Sequence, residues 1–98
     1  MFEQMQKTYK ALSDPTRRKI MQLLRERDMS AGELAEHFES TKPTLSRHFS
    51  ILRDADLIQG HKNGTTITYR LNVSVLEETL LSMMEMFKID IEGLNDEQ

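Results

Sequence analysis

Arg47 stands among small polar side chains, with Lys42, Pro43 and Thr44 before it, Ser46 beside it and Ser50 after it. Wound as a helix, the segment places Pro43, Arg47 and Ser50 on one side, with Thr44 and Ser46 on its flanks. Leu45, Phe49 and Leu52 fall at i, i+4 and i+7 on the opposite side. The chemistry such a face supports is recognition. A guanidinium can donate two hydrogen bonds to the acceptor edge of a guanine, a contact worth about 1–3 kcal/mol of discrimination. Hydroxyls and an ammonium beside it suit phosphate oxygens. Arg47 is therefore the candidate base-reading residue, and Lys42, Pro43, Thr44, Ser46 and Ser50 complete the candidate DNA-contacting face. Downstream, Lys62 and Asn63 at the tip of an expected hairpin are candidates for phosphate or minor-groove contact, and Arg70 on its wet face is a weaker one.

Chemistry that makes or breaks bonds finds no foothold. There is no Gly-rich phosphate loop, no nucleophile with a base, and no carboxylate pair in an identifiable cleft; the four glycines are scattered singly. No catalytic residue is assigned, and the chain is not expected to be an enzyme. The lack of cysteine removes disulfides, thiolate metal sites and thiol redox sensing together. His37 and His61 fall on different elements with no third ligand, so a metal site is not expected, and no cofactor is expected either. His48, on the shoulder of its helix, is expected to be half-buried and hydrogen-bonded. Arg17, Arg18 and Lys19 form a basic triplet for which salt bridges to Asp14 or the acidic tail and phosphate contact are equally open readings.

These residues need elements to hold them. Phe2, Met5, Tyr9 and Leu12 make an amphipathic first helix over 1–12. Asp14 caps a second, with Pro15 in its first turn where the missing N–H costs nothing. That helix runs to about Arg27 and buries Ile20, Leu23 and Leu24. Ser30 and Glu33 form a capping box that opens a third helix over 31–38 with apolar positions Ala31, Leu34, Ala35 and Phe38. The linker 39–42 is long enough only for a turn, and Thr41 caps the fourth helix, 42–55.

A hairpin follows over 57–71. Taking Asn63-Gly64 as its two-residue turn, Lys62 opposes Thr65, Gly60 opposes Ile67 and Ile58 opposes Tyr69. Ile58, Ile67, Tyr69 and Leu71 then share one face, and Gln59, His61, Thr66, Thr68 and Arg70 the other. A second capping box at Ser74 and Glu77 opens a fifth helix, 75–88, striped by Leu76, Leu80, Met83 and Phe87 and widened by Leu81, Met84 and Met86. Residues 89–98 form an acidic tail.

The whole, 1–98, reads as one mainly helical domain with a β-hairpin wing: four helices, two strands and a fifth helix, a winged helix-turn-helix. In that module the second helix of the pair enters the major groove of DNA. The chain carries a net charge of −3, but 1–75 hold 12 Lys/Arg against 9 Asp/Glu, whereas 76–98 hold Lys88 against seven acids. The acidic balance belongs to the last helix and tail. The stretch 40–70 is itself +3, and local sign governs which surface meets phosphates. There is no apolar run long enough to span a bilayer and no basic-then-apolar leader, so a cytoplasmic protein without membrane insertion is expected.

Three segments, 11–20 (ALSDPTRRKI), 33–38 (ELAEHF) and 42–52 (KPTLSRHFSIL), followed by the hairpin, resemble the bacterial arsenic-repressor-type (ArsR) family of dimeric winged-helix repressors. The likeness spans about 9–87, and is nearest to the short, cysteine-free autorepressor branch. It implies a homodimeric transcriptional repressor on double-stranded DNA carrying an inverted-repeat operator. The first and last helices would pair across a two-fold axis, through Phe2, Met5, Tyr9, Leu76, Leu80, Met83, Met84 and Phe87. The apolar width of the fifth helix points to an interface independently.

Metal-sensing members carry cysteines in the third helix, or an Asp and several His on the last; here the one reads Leu34-Ala35-Glu36-His37 and the other has no His, so metal response is not carried over. A repressor without a metal site still needs a signal, and a sequestering protein or a small apolar inducer at the dimer interface are two physical routes. The competing reading is a protein-interaction module whose main partner binds the fifth helix and acidic tail. It would call for an acidic or apolar outward face on the fourth helix, and that face is polar with two cations.

Overall fold

The computed structural model describes residues 2–90, Phe2 by its backbone only. The order is α1 (Phe2–Leu12), α2 (Pro15–Glu26), β1 (Met29–Ser30), α3 (Ala31–Ala35), α4 (Lys42–Asp54), β2 (Ile58–Asn63), β3 (Thr66–Leu71) and α5 (Val73–Met86). Local chemistry explains most of the starts. The Asp14 carboxylate accepts from the N–H groups of Thr16 and Arg17 at 2.8 and 3.2 Å. The Ser30–Glu33 box forms in both directions, each bond 3.0 Å. The Thr41 hydroxyl accepts from the Thr44 N–H at 3.4 Å.

Two helix boundaries differ from expectation. α3 stops at Ala35, and residues 36–38 turn back through tight backbone bonds while Phe38 still packs on the core. α5 begins at Val73 after Asn72, which makes no side-chain cap, so Ser74 lies inside the helix and the expected second capping box does not form. Starting earlier lets the helix grow directly from the end of β3.

The core gathers Ala11, Ile20, Met21, Leu24, Met29, Leu34, Leu45, Phe49, Leu52, Ala55, Leu57, Ile58, Tyr69 and Leu71. α2 buries Met21 where Leu23 was expected, and Leu23 is only half-buried. α1 turns Thr8 and Ala11 inward, leaving Met5, Tyr9 and Leu12 half-buried. The inward stripe of α1 is narrow and partly polar because Thr8 can return its hydroxyl to the Gln4 carbonyl of its own helix.

The sheet has three strands, not two, in the order β1-β3-β2, all antiparallel. β1 pairs Met29 with Tyr69 and Ser30 with Thr68. Ser30 therefore ends a strand and caps α3 at once, which ties the helix pair to the wing. The hairpin register also differs: Asn63 pairs with Thr66, Lys62 with Ile67, Gly60 with Tyr69 and Ile58 with Leu71.

The turn is Gly64-Thr65. Only Gly64 has positive φ, at 65°, the pattern of a turn needing glycine in its first central place, not the Asn-Gly turn that needs both. Because the shift is two residues, the face of every side chain survives it. Gly60 is required where it pairs: an added Cβ would lie 3.1 Å from the Tyr69 ring and 3.3 Å from Ile67.

α4 leaves for the wing through a Schellman turn. Leu57 N–H bonds to the Leu52 carbonyl at 3.0 Å and Asp56 N–H to the Arg53 carbonyl at 2.9 Å, with Asp56 at φ 60°. Leu52 and Leu57 are both fully buried, the hydrophobic contact that accompanies this cap.

Candidate nucleic-acid interface

α4 is seated by its apolar side. Leu45, Phe49 and Leu52 are buried, and the Phe49 ring meets that of Tyr69 on β3 with centroids 4.9 Å apart and planes at 36°. That packing turns the other side outward, where Lys42, Pro43, Thr44, Ser46 and Arg47 are exposed and Ser50 is half-buried. Among the described residues no hydrogen bond or ion pair engages Arg47 or Lys42, so both cations are free to meet an external partner. Thr44 is less free, since its hydroxyl accepts from that of Thr41 at 3.0 Å. One continuous polar surface with two unspent cations is a surface for a polyanion.

The wing residues do not form one set. Lys62 follows the alternation of Ile58 and Gly60, whereas Asn63 and Arg70 lie on the opposite face with Gln59 and His61. All are exposed. Asn63, expected in the turn, is the last paired residue of β2. A shallow concavity on the wet face brings Arg70, His61 and Asn63 together with Asp28. Lys62 and Arg70 thus address different surroundings, and the expectation of a single wing contact divides in two.

Among the described residues the basic triplet makes no salt bridge to Asp14; its contacts are to backbone carbonyls, a histidine and an aromatic ring. Arg17 is buried, 7 % exposed, and donates from Nε to the Ala11 carbonyl and from Nη2 to the Lys10 carbonyl, each at 2.8 Å. Its Nη1 reaches Nδ1 of His48 at 3.2 Å. Arg18 donates to the Leu12 carbonyl at 2.9 Å. Lys19 donates to the His37 carbonyl at 3.1 Å and sits 4.9 Å above the Phe38 ring. These cations are occupied by backbone carbonyls, largely at the C-terminal end of α1, where the helix dipole favours positive charge.

His48 is half-buried and hydrogen-bonded as expected, though its partner was not foreseen. No pattern of residue types announces a side chain that reaches back across a turn. Beside it, partial burial works to raise the Asp14 carboxyl, but the N–H groups of Arg17 and Thr16 outweigh it and hold the group below its ordinary value.

A second surface is apolar. No residue of α5 is buried; Leu80 is 50 % exposed, Leu81 and Met86 are exposed, and Phe87, just past the helix end, is 65 % exposed. Met83 and Met84 are half-buried, while Leu76 packs partly on the protomer's own core. Met5 and Tyr9 on α1 are half-buried. The side chain of Phe2 and most of the acidic tail lie outside the described residues. No helix of the described residues is long and apolar enough to cross a membrane.

A metal of the kind the family's sensors hold does not suit the residues present. α5 offers Glu77, Glu78 and Glu85 without an imidazole, α3 offers no thiolate, and no group of three or more His, Asp or Glu is assembled among the described residues. Bare carboxylates select poorly for transition metals.

Comparison with known proteins agrees with this geometry. A family described as "Bacterial regulatory protein, arsR family" matches residues 14–59. The transcriptional repressor SdpR of Bacillus subtilis (strain 168) is 45% identical over 92 residues, 94% of this chain and 99% of that protein. An ArsR-like transcriptional regulator from Rhodococcus sp. RHA1 superposes with a TM-score of 0.79 at 26% identity, covering 89% of this chain and 82% of its own. The homodimeric winged helix-turn-helix DNA-binding domain of a possible ArsR-family regulator from Mycobacterium bovis shares the fold, with a TM-score of 0.72 at 22% identity over 89% of this chain and 82% of that one.

Proposed function

The chain belongs to the arsR family of bacterial regulatory proteins and is a winged-helix DNA-binding regulator; on that premise we propose that it represses transcription in the cytoplasm as a homodimer on an inverted-repeat operator, without a metal effector. The observation that carries this reading is the outward face of α4, with Arg47 and Lys42 exposed and unspent over a rigidly packed apolar side. Two copies of α4 would enter successive major grooves, about 34 Å apart along the duplex. Arg47 reads a base edge, Lys42, Thr44, Ser46 and Ser50 hold phosphates or bases, and Pro43 fixes the first turn that presents them. The wing offers two separate candidate contacts, Lys62 on one face and Asn63 with Arg70 on the other.

Dimerisation uses the faces of α1 and α5. An apolar row of Leu80, Leu81, Met86 and Phe87 on a protein of this size is a surface that water disfavours, and the relative from Mycobacterium bovis is described as homodimeric. The reading as a protein-interaction module is not favoured, because the exposed face of α4 is polar and cationic and not apolar or acidic.

The test is equilibrium binding by fluorescence anisotropy to the duplex upstream of the protein's own gene and to a random duplex, across a salt series. A symmetric protected site bound far more tightly than random DNA, with affinity falling steeply in salt, is the expected result. Equal, weak binding to both would remove its own promoter as the target; if a genome-wide search then found no other operator, the repressor reading would fall.

A further inference from the structure

We propose that Arg17 and His48 form a positioning link that sets how α4 is carried on α1, and thereby the separation of the two reading helices in the dimer. The inference rests on the operator reading above and adds residues that touch no DNA. Arg17 spends its guanidinium on two elements at once: Nε and Nη2 close the C-terminal carbonyls of α1, and Nη1 bonds to His48 in the middle of α4. Arginine has no acceptor, so His48 Nδ1 must accept and the ring proton sits on Nε2.

A buried guanidinium without hydrogen-bond partners would be costly, and here the carbonyl end of the α1 dipole receives it. A second tether lies further along the same helix pair, where Gln4 Nε2 donates to the Ala55 carbonyl at the C-terminal end of α4, 3.0 Å away. α4 is thus held at its middle by Arg17 of α2, which is itself anchored on the α1 carbonyls, and at its end by Gln4 of α1. If α1 packs against its counterpart across the two-fold axis, any slack in these tethers becomes an error in the distance between the two Arg47 side chains. His48 is next to Arg47 in sequence but on the shoulder that faces α1 and α2, so it transmits position without contacting a base.

The experiment compares wild type, His48→Ala and His48→Asn on three duplexes: the full operator, a single half-site, and operators whose half-site spacing is changed by one base pair either way. The Asn side-chain oxygen stands where Nδ1 stood and can accept from Arg17. Asn is also the poorer helix former of the two replacements, so rescue by Asn cannot come from helix stability. Sedimentation and thermal melting establish that each variant is a folded dimer.

Expected for His48→Ala is a loss of about tenfold on the full operator, the low end for a hydrogen bond to a charged group. Half-site binding should change by less than about twofold and the spacing preference should flatten, while His48→Asn restores both affinity and spacing preference. Unchanged affinity and spacing profile in His48→Ala would overturn the link while leaving the operator reading intact. Equal losses in the two variants would overturn it as well, since the acceptor would then not matter. A wild-type protein indifferent to the second half-site would overturn the operator reading and the link with it.

Discussion

Replacing Arg47 by Ala separates reading from folding. The side chain is exposed and makes no hydrogen bond or ion pair among the described residues, so its removal leaves no buried partner unsatisfied. Alanine also raises helix propensity slightly, and the melting temperature should be unchanged. A bidentate contact to guanine is worth about 1–3 kcal/mol, and a two-fold dimer presents Arg47 twice. If the half-sites act independently, the loss is about 2–6 kcal/mol, or roughly 30-fold to more than 10,000-fold in operator affinity at about 1.4 kcal/mol per tenfold.

Anisotropy on operator and random duplex, each across a salt series, distinguishes the roles. A base-reading Arg47 lowers operator affinity and leaves random binding and its salt slope nearly unchanged. A phosphate-binding Arg47 weakens both duplexes alike and lowers the slope by about one per side chain. The second pattern would refute base reading by Arg47, and no change on either duplex would refute the use of this face of α4.

Three further outcomes follow from the structure. Leu80→Glu places a charge on the exposed apolar row of α5; against an interface there, where burying the rest of a leucine contributes roughly 1–2 kcal/mol per copy, it should shift sedimentation toward monomer and abolish operator binding while helical content persists. Asp56→Gly relieves a side chain held at φ 60° in the Schellman turn and should raise stability by about 0.5–1 kcal/mol in urea unfolding; a decrease would show that the aspartate contributes more than its backbone costs. Asp14 has a depressed folded-state pKa, so the stability it adds is present above the ordinary carboxylate range and is lost as pH falls through the lower folded value. Asp14→Asn, which caps comparably without titrating, should flatten that part of the acid limb below about pH 4, and an unchanged limb would assign the acid loss to other groups.

Local signals survived into the fold wherever the cause was itself local. The caps at Asp14, Ser30 and Thr41 act within three residues and appear in the structure with their expected bonds. The core side of α4 was legible because Leu45, Phe49 and Leu52 repeat at helical period, and the face that period leaves outward is the candidate site. The two faces of the hairpin were legible because alternation has a period of two, which a register error of two residues does not disturb. The absence of glycine after α4 hid the Schellman turn, since Asp56 enters the left-handed region without the residue type that usually marks it. Ser74 carried a capping signal that the structure left unused, because β3 runs to Leu71, the Asn72 N–H bonds to the Leu57 carbonyl, and α5 begins at once at Val73.

By itself, then, the order of residues determined the helix-turn-helix, the wing, the exposed cationic face and the excess of apolar surface on the last helix, all properties of neighbours in the chain. Only the tertiary structure decided what joins distant neighbours. Ser30 meets Thr68 to make a third strand, Gln4 reaches the end of α4, and Arg17 closes one helix while gripping another. A two-residue strand has no period to read, and a guanidinium carries no mark of which carbonyls it will find. Such contacts are selected by how packed elements come to lie against one another, and they exist only once the core has brought those elements together.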